Sequence, residues 1–432
     1  MSKWISNRHV IVTMIALLMT IAACSSPVVT GMKVHMQNQE YEDIIHLADS
    51  VIAKGDSLNA EIWFWRGRAQ VSMNRWLNAS ESFEKTWELD TEGKLDISEY
   101  WFTFFNAAAY VMNEGDIDSA VELLQTGAEI IPERPDFDLM MGDINLNVYG
   151  DHAAALESFQ TASQKALALI PVLEHEISET SDPYMANFYS QNLDQIITTC
   201  IQALYNSGSV LSIISLNAPE EDVPGLLEQA KAEYLKAIEI DPTNVDILEA
   251  IADTYMLEGD YESAIGIFDE AFIQIELGVS EGWLDPEEAS ELKANMMISK
   301  GYAYIEMENF DQAINELNAA QDLIGNDFIV LSTLAHAHFV MENYDEALSM
   351  LDSAIMIEGL SNDALGNAYY TKFACYSRKE MDDEAAEALE TALEFDPDNA
   401  RYWELLASTY SRLGRRNDAI NAMQKAQDLG VE

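Results

Sequence analysis

One pattern recurs through most of this chain, and it is clearest in residues 245–278. Leu248, Ile251, Ala252 and Tyr255 fall at i, i+3, i+4 and i+7, which sets them on one face of a helix. Gly259, Asp260 and Tyr261 then supply turn chemistry. Ala264, Phe268 and Ala271 mark a second apolar face at i, i+4 and i+7. The small residues Ala252 and Ala264 sit where two antiparallel helices would touch, so the helices can approach closely. The unit is a helix–turn–helix of 34 residues. A single unit of this kind cannot bury its own apolar face, so it must stack against copies of itself.

Copies are read at about 60–93, 101–134, 136–169, 294–327, 328–361, 366–399 and 400–432. Their marks include Trp63, Gly67, Ala79 and Phe83; Phe104, Ala108 and Ala120; Gly301, Tyr304 and Ala313; and Trp403, Tyr410, Gly414 and Ala419. The unit resembles the tetratricopeptide repeat. The resemblance implies an all-α fold, a tetratricopeptide-repeat α-solenoid forming a right-handed superhelix of about eight to nine helix–turn–helix units. Asp143 departs from the pattern, standing where a small residue of a first helix is expected. Tyr41, Ile44, Ala48 and Val51 read as a second helix whose first helix is missing.

The centre stretches the pattern. Residues 167–179 prolong a helix, Pro183 allows a new start, and 184–207 reads as a long helix. Residues 208–222 read as an inserted loop, because Ser, Asn and Pro interrupt the apolar positions. A second insertion spans 279–292, where Asp285 before Pro286, Glu287 and Glu288 predicts a helix start. The expected organisation is a leader at 1–23, a tether at 24–39, a repeat sub-array at 40–169, an extended repeat at 170–243 and a second sub-array at 244–432.

The leader has an address-like form. Lys3 and Arg8 precede an apolar run at 10–23 that is short for a membrane span and suits a secretory signal. The run closes on Ile21, Ala22, Ala23 and Cys24, which resembles the lipobox of bacterial lipoproteins. That resemblance implies a mature chain beginning at Cys24 with lipid on its thiol and amine, firmly held when several acyl chains act together. Ser25 after the cysteine implies, by the sorting rule of enteric bacteria, the outer membrane, facing the periplasm.

The 23 Lys and Arg against 75 Asp and Glu give a formal charge of −52. Such a chain is not built for nucleic acid, whose binding rests on neutralising phosphates. Between Lys94 and Lys231 the only bases are Arg134 and Lys165. Two readings of the acidity stay open: a solvated acidic surface, or a surface for a cationic partner or counter-ions. Cys200 and Cys375 lie several repeats apart and read as two buried free thiols.

Chemistry-bearing constellations fail on their spacing. His336 and His338 point about 200° apart around a helix and cannot share a metal. His175 and Glu176 begin like a zinc-protease helix but lack the second histidine. Asp116 with Asp118, and Asp396 with Asp398, lack the Gly and Glu positions of a calcium loop. The expectation is no enzyme, no catalytic residues, no metal and no cofactor.

In tetratricopeptide arrays the first helices line the concave face, with residues two, five, nine and twelve of each repeat pointing into it. Carried onto this sequence, the resemblance selects Phe64 and Arg68; Phe102, Phe105, Ala109 and Met112; Phe137, Met140, Ile144 and Asn147; Asp246, Glu249 and Asp253; Tyr302 and Ile305; Ile329, His336 and Phe339; and Tyr370. The groove is expected to be aromatic near its start, acidic in the middle and mixed afterwards. The Lys and Asn clamp of chaperone-tail-binding relatives is missing. The expected function is a membrane-anchored scaffold or assembly factor of the bacterial envelope, binding a protein or peptide partner in this groove. The alternative is an accessory lipoprotein of a periplasmic transport system that binds an apolar small ligand.

Overall fold

A computed structural model describes residues 26–430, so Cys24 and the leader lie outside the described residues. Those residues form twenty α-helices and one 3-10 turn, with no strand among them. They divide into two compact units, one ending at Ile214 and one beginning at Ser215. The first holds α1 (Pro27–Gln37), α2 (Tyr41–Ala53), α3 (Ala60–Ser72), α4 (Trp76–Leu89), the 3-10 turn (Ser98–Tyr100), α5 (Trp101–Asn113), α6 (Ile117–Ile130), α7 (Asp136–Asn147), α8 (His152–Glu179) and nearly all of α9 (Pro183–Leu216). The second holds α10 (Val223–Ile240), α11 (Val245–Glu258), α12 (Tyr261–Glu281), α13 (Pro286–Glu306), α14 (Phe310–Ile324), α15 (Phe328–Val340), α16 (Tyr344–Ala354), α17 (Asn362–Arg378), α18 (Asp382–Phe395), α19 (Ala400–Arg412) and α20 (Arg416–Asp428).

One turn joins the two helices of nine pairs. Its central residue has a left-handed backbone: Gln39, Asn74, Gly115, Gly150, Gly259, Glu308, Glu342, Glu380 and Gly414. In eight of them the next N–H reaches back five residues and closes the first helix, as in Asp260 to Tyr255 O (2.9 Å) and Asn343 to His338 O (2.8 Å). The second helix is often capped by an aspartate. The side chains of Asp116, Asp151 and Asp260 accept from the N–H groups of Ser119, Ala154 and Ser263.

This turn corrects the expected tether. Gln39 occupies the left-handed position (φ 63°), so α1 and α2 form a complete pair. Val29 and Met32 of α1 are fully buried in one cluster with Ile44, Ile62 and Ala69. The small-residue register is also corrected by one position. Gly142, not Asp143, meets the second helix, and any Cβ there would collide with the Phe159 ring. Gly67 plays the same part against Phe83, 2.9 Å from where its Cβ would lie.

The expected loop after residue 207 is largely helix. α9 runs unbroken through Gly208 to Leu216, because Val210 and Leu211 are buried. It is long and apolar enough to cross a membrane, yet half of its apolar window is buried inside the protein. The start at Pro286 matches expectation: the Asp285 side chain accepts from the Glu287 N–H at 2.8 Å. Cys200 and Cys375 are buried free thiols, each pushed up to about 11 by burial.

Candidate functional site

The aromatic start of the expected groove separates into core and rim. Phe137 is 1% exposed and Ile144 2%, so both belong to the hydrophobic core and neither lines a groove. The cause lies on α6. Gly127 carries no side chain, and the Phe137 ring fills the slot, 2.7 Å from where a Cβ would stand. Phe64, Phe105, Met112 and Met140 are half-buried and pack against the same cluster. Phe83 and Tyr100 stack with centroids 4.7 Å apart, and Phe64 meets both rings edge-on. Phe102 keeps a free side beyond its edge contacts with Trp76 and Trp101.

That side of Phe102 opens on a pocket of about 450 Å³. Its near wall is the stretch from Asp96 through Trp101 and Phe102. Its far wall is Leu169 and Leu173 from the prolonged end of α8, with Met185, Phe188 and Tyr189 from the start of α9. The lengthened helices therefore build a wall that a repeat of ordinary length lacks. Half of the lining residues are apolar or aromatic and half are polar or charged, the mix that ligand clefts use for affinity and orientation.

Arg134 forms the floor. Its guanidinium lies 3.9 Å from the Trp101 ring centre, in cation–π contact. Nε donates to Asp136 at 2.9 Å and Nη1 to Asn192 Oδ1 at 2.7 Å. Nη2 stands 2.8 Å from the same Asp136 carboxylate without hydrogen-bond geometry. Asp136 also accepts from Gln195 and Thr199 of α9. Arginine and aspartate side chains are 6% and 4% exposed, so this is a buried ion pair. Burial lowers the arginine's proton affinity and Asp136 opposes that. The hydrogen bonds offset the desolvation that a buried pair otherwise suffers. The arrangement ties α7 to α9. The sequence offered only a faint signal: one isolated arginine two residues before an aspartate, in a stretch poor in bases.

In the second unit Ile305 is 3% exposed and belongs to the core, so it lines no groove, while the other selected residues stay at least partly accessible. Tyr302 is 44% exposed and stacks on His336, with centroids 6.3 Å apart. Tyr370 is 36% exposed and stacks on Tyr402 at 5.2 Å. Tyr302, His336 and Tyr370 recur every 34 residues and make one column along successive first helices. Phe339 is half-buried against Tyr344. On α11, burial and the neighbouring Asp253 and Asp246 raise the Glu249 carboxyl. Asp253 is raised too, by the protein mass around it, although its own surface is open to solvent.

At the α1–α2 turn His35, Glu40 and Asp43 come together. The His35 Nδ1 contact at 2.7 Å holds the Glu40 carboxyl below its ordinary range.

Residues 233–266, 294–327 and 400–429 match family models of the tetratricopeptide repeat. This chain carries tetratricopeptide repeats. Its fold is an all-α tetratricopeptide-repeat solenoid, as the residue pattern predicts. The chain is similar to a tetratricopeptide repeat protein from Parabacteroides merdae, at 17% identity over 69% of this chain and 94% of that one, with a TM-score of 0.45. It is similar to yeast Tom70, at 17% identity over 94% and 92%, with a TM-score of 0.41. It is also similar to MamA, at 21% identity over 41% and 94%, with a TM-score of 0.33. No curated protein matches it.

Proposed function

We propose that this protein is a lipid-anchored scaffold or assembly factor of the bacterial envelope that binds a protein or peptide partner on the inner faces of its first helices. The observation that carries the reading is the ring column of Tyr302, His336 and Tyr370 in the repeat solenoid. Large rings left accessible at one-repeat spacing, on helices whose other faces are packed, mark an interaction surface. The anchor rests on Lys3, Arg8 and the lipobox ending in Cys24. The pocket beside Phe102 is open and bordered by carboxylates, which suits a peptide better than a neutral apolar small molecule.

The test is photo-crosslinking in intact cells, with a photoreactive side chain at position 102, 302 or 370 and a control at Leu58, an exposed turn position. Discrete protein adducts at the first three positions, and none at the control, are expected. Adducts at Leu58 alone, or at none of the four, would overturn the scaffold reading. Cys24→Ser tests the anchor separately: the protein should leave the membrane fraction or remain unprocessed. Membrane retention with unchanged mass would refute it.

A further inference from the structure

We infer that the pocket beside Phe102 seats a basic peptide segment that inserts one large apolar side chain; this deepens the scaffold reading and rests on it. The space of about 450 Å³ lies toward the small end of ligand clefts, enough for an anchor and its flanks and too little for a packed domain. Phe102, Leu173 and Phe188 supply apolar walls on opposite sides. Peptide and protein contacts concentrate their energy in such sites, where one aromatic or aliphatic anchor is desolvated.

Charge sets the rest of the occupant's chemistry. Asp96, Glu99 and Glu133 line the pocket and are exposed. None of them is in an ion pair among the described residues. The one base in the lining, Arg134, is 5% exposed and already committed to Asp136, Asn192 and Trp101. An anion would therefore find no free cation here and three carboxylates to repel it. A lysine- or arginine-bearing segment would find complementary charge at the mouth, which speeds encounter and selects against acidic competitors. The nearby sequence agrees, since bases are nearly absent between Lys94 and Lys231.

The experiment uses the full chain and a fluorescein-tagged synthetic peptide holding one tryptophan between lysines, read by anisotropy. Saturable binding that weakens with added salt is expected. Phe102→Ala should weaken it about thirtyfold, the effect of losing one hot-spot contact. Glu99→Gln with Glu133→Gln should weaken it about tenfold, with an unchanged melting temperature. Leu58→Ala, at an exposed turn position, should leave it unchanged. If Phe102→Ala lowers the melting temperature, the charge variants decide alone. No binding of the lysine peptide, equal binding of a peptide with glutamates in place of the lysines, or indifference to the charge variants would overturn the inference. So would displacement by the neutral dye N-phenylnaphthylamine together with that indifference. Adducts at Tyr302 with no peptide in this pocket would defeat this inference and leave the scaffold reading standing. Absence of adducts throughout would defeat the scaffold reading itself.

Discussion

Phe137 in the first unit and Tyr302 in the second are both selected by register as inward-pointing residues of first helices, Phe137 at the start of α7 and Tyr302 in the last turns of α13, yet one is swallowed and the other is open. Their own identities do not decide this. Phe137 enters the core because Gly127, on the preceding second helix, leaves a slot. Tyr302 is left lying against His336, one repeat onward. The fate of a register-selected residue therefore depends on what its packed neighbour presents, an empty slot at Gly127 or a ring at His336. A groove inferred from register alone mixes accessible residues with packing residues.

The largest test of this contrast is Phe137→Ala, which should cost about 3–5 kcal/mol, as emptying a core ring position does. Tyr302→Ala and Tyr370→Ala should stay within about 0.5 kcal/mol, as surface changes do, while weakening crosslinking to a partner. Thermal melts of the three variants compare the regions directly. Equal losses at all three positions would erase the distinction.

The next effect concerns the ion pair under the pocket. Asp136→Ala leaves the Arg134 charge buried and alone, at a cost of about 3–5 kcal/mol. Arg134→Met combined with Asp136→Leu should recover most of that loss, because packed apolar groups replace a buried pair with little penalty. Denaturant melts would measure both. A double variant as unstable as the single would show that the geometry around Asn192 matters more than the charge.

A smaller effect is expected at the turns. Glu308, Glu342 and Glu380 hold left-handed backbones that glycine adopts freely at Gly259 and Gly414. A side chain there costs about 1–2 kcal/mol, partly cancelled by the extra freedom glycine has when unfolded. Glu342→Gly should therefore stabilise the second unit by about 0.5–1 kcal/mol, visible as a higher melting temperature.

The smallest effect is a pH dependence in the acidic centre. The Glu249 carboxyl is raised above its unfolded value of 4.5, so the folded chain holds that proton more tightly than the unfolded chain does. Its contribution is fully present below that value and is lost as pH rises through the folded pKa. Glu249→Gln should therefore gain in stability relative to the parent as pH climbs from 4.5 to 7. A difference independent of pH would show that Glu249 is well solvated.

The helix pairs were legible because each is local: apolar spacing, a turn and a cap all lie within one repeat. The α1 helix was missed although Val29, Met32 and Met36 stand at i, i+3 and i+7, because Pro27, Gly31 and the polar residues between them blur a helix of 11 residues. The continuation of α9 past Gly208 was missed for a tertiary reason, since burial of Val210 and Leu211 overrides weak local propensity. Phe102, Tyr302 and Tyr370 could be named from register. The pocket could not, because it joins residue 101 to residues 169–195 through side helices of unusual length.

The turn shared by nine helix pairs bears on how the chain comes to be folded at all. Because main-chain bonds close it, each pair is complete within one repeat of sequence, and the partners that matter most are already neighbours in the chain. Contacts of such short separation form quickly. A chain leaving the ribosome can thus set each pair in place before the next has been made. The stack grows in the order of synthesis, and no distant segment has to be awaited. Exceptions lie under the pocket, where Arg134 bonds Asn192, made 58 residues later, and Asp136 bonds Gln195 and Thr199, made 59 and 63 residues later. During that interval the arginine must remain in water, and the pocket floor is the last part of its neighbourhood to be finished.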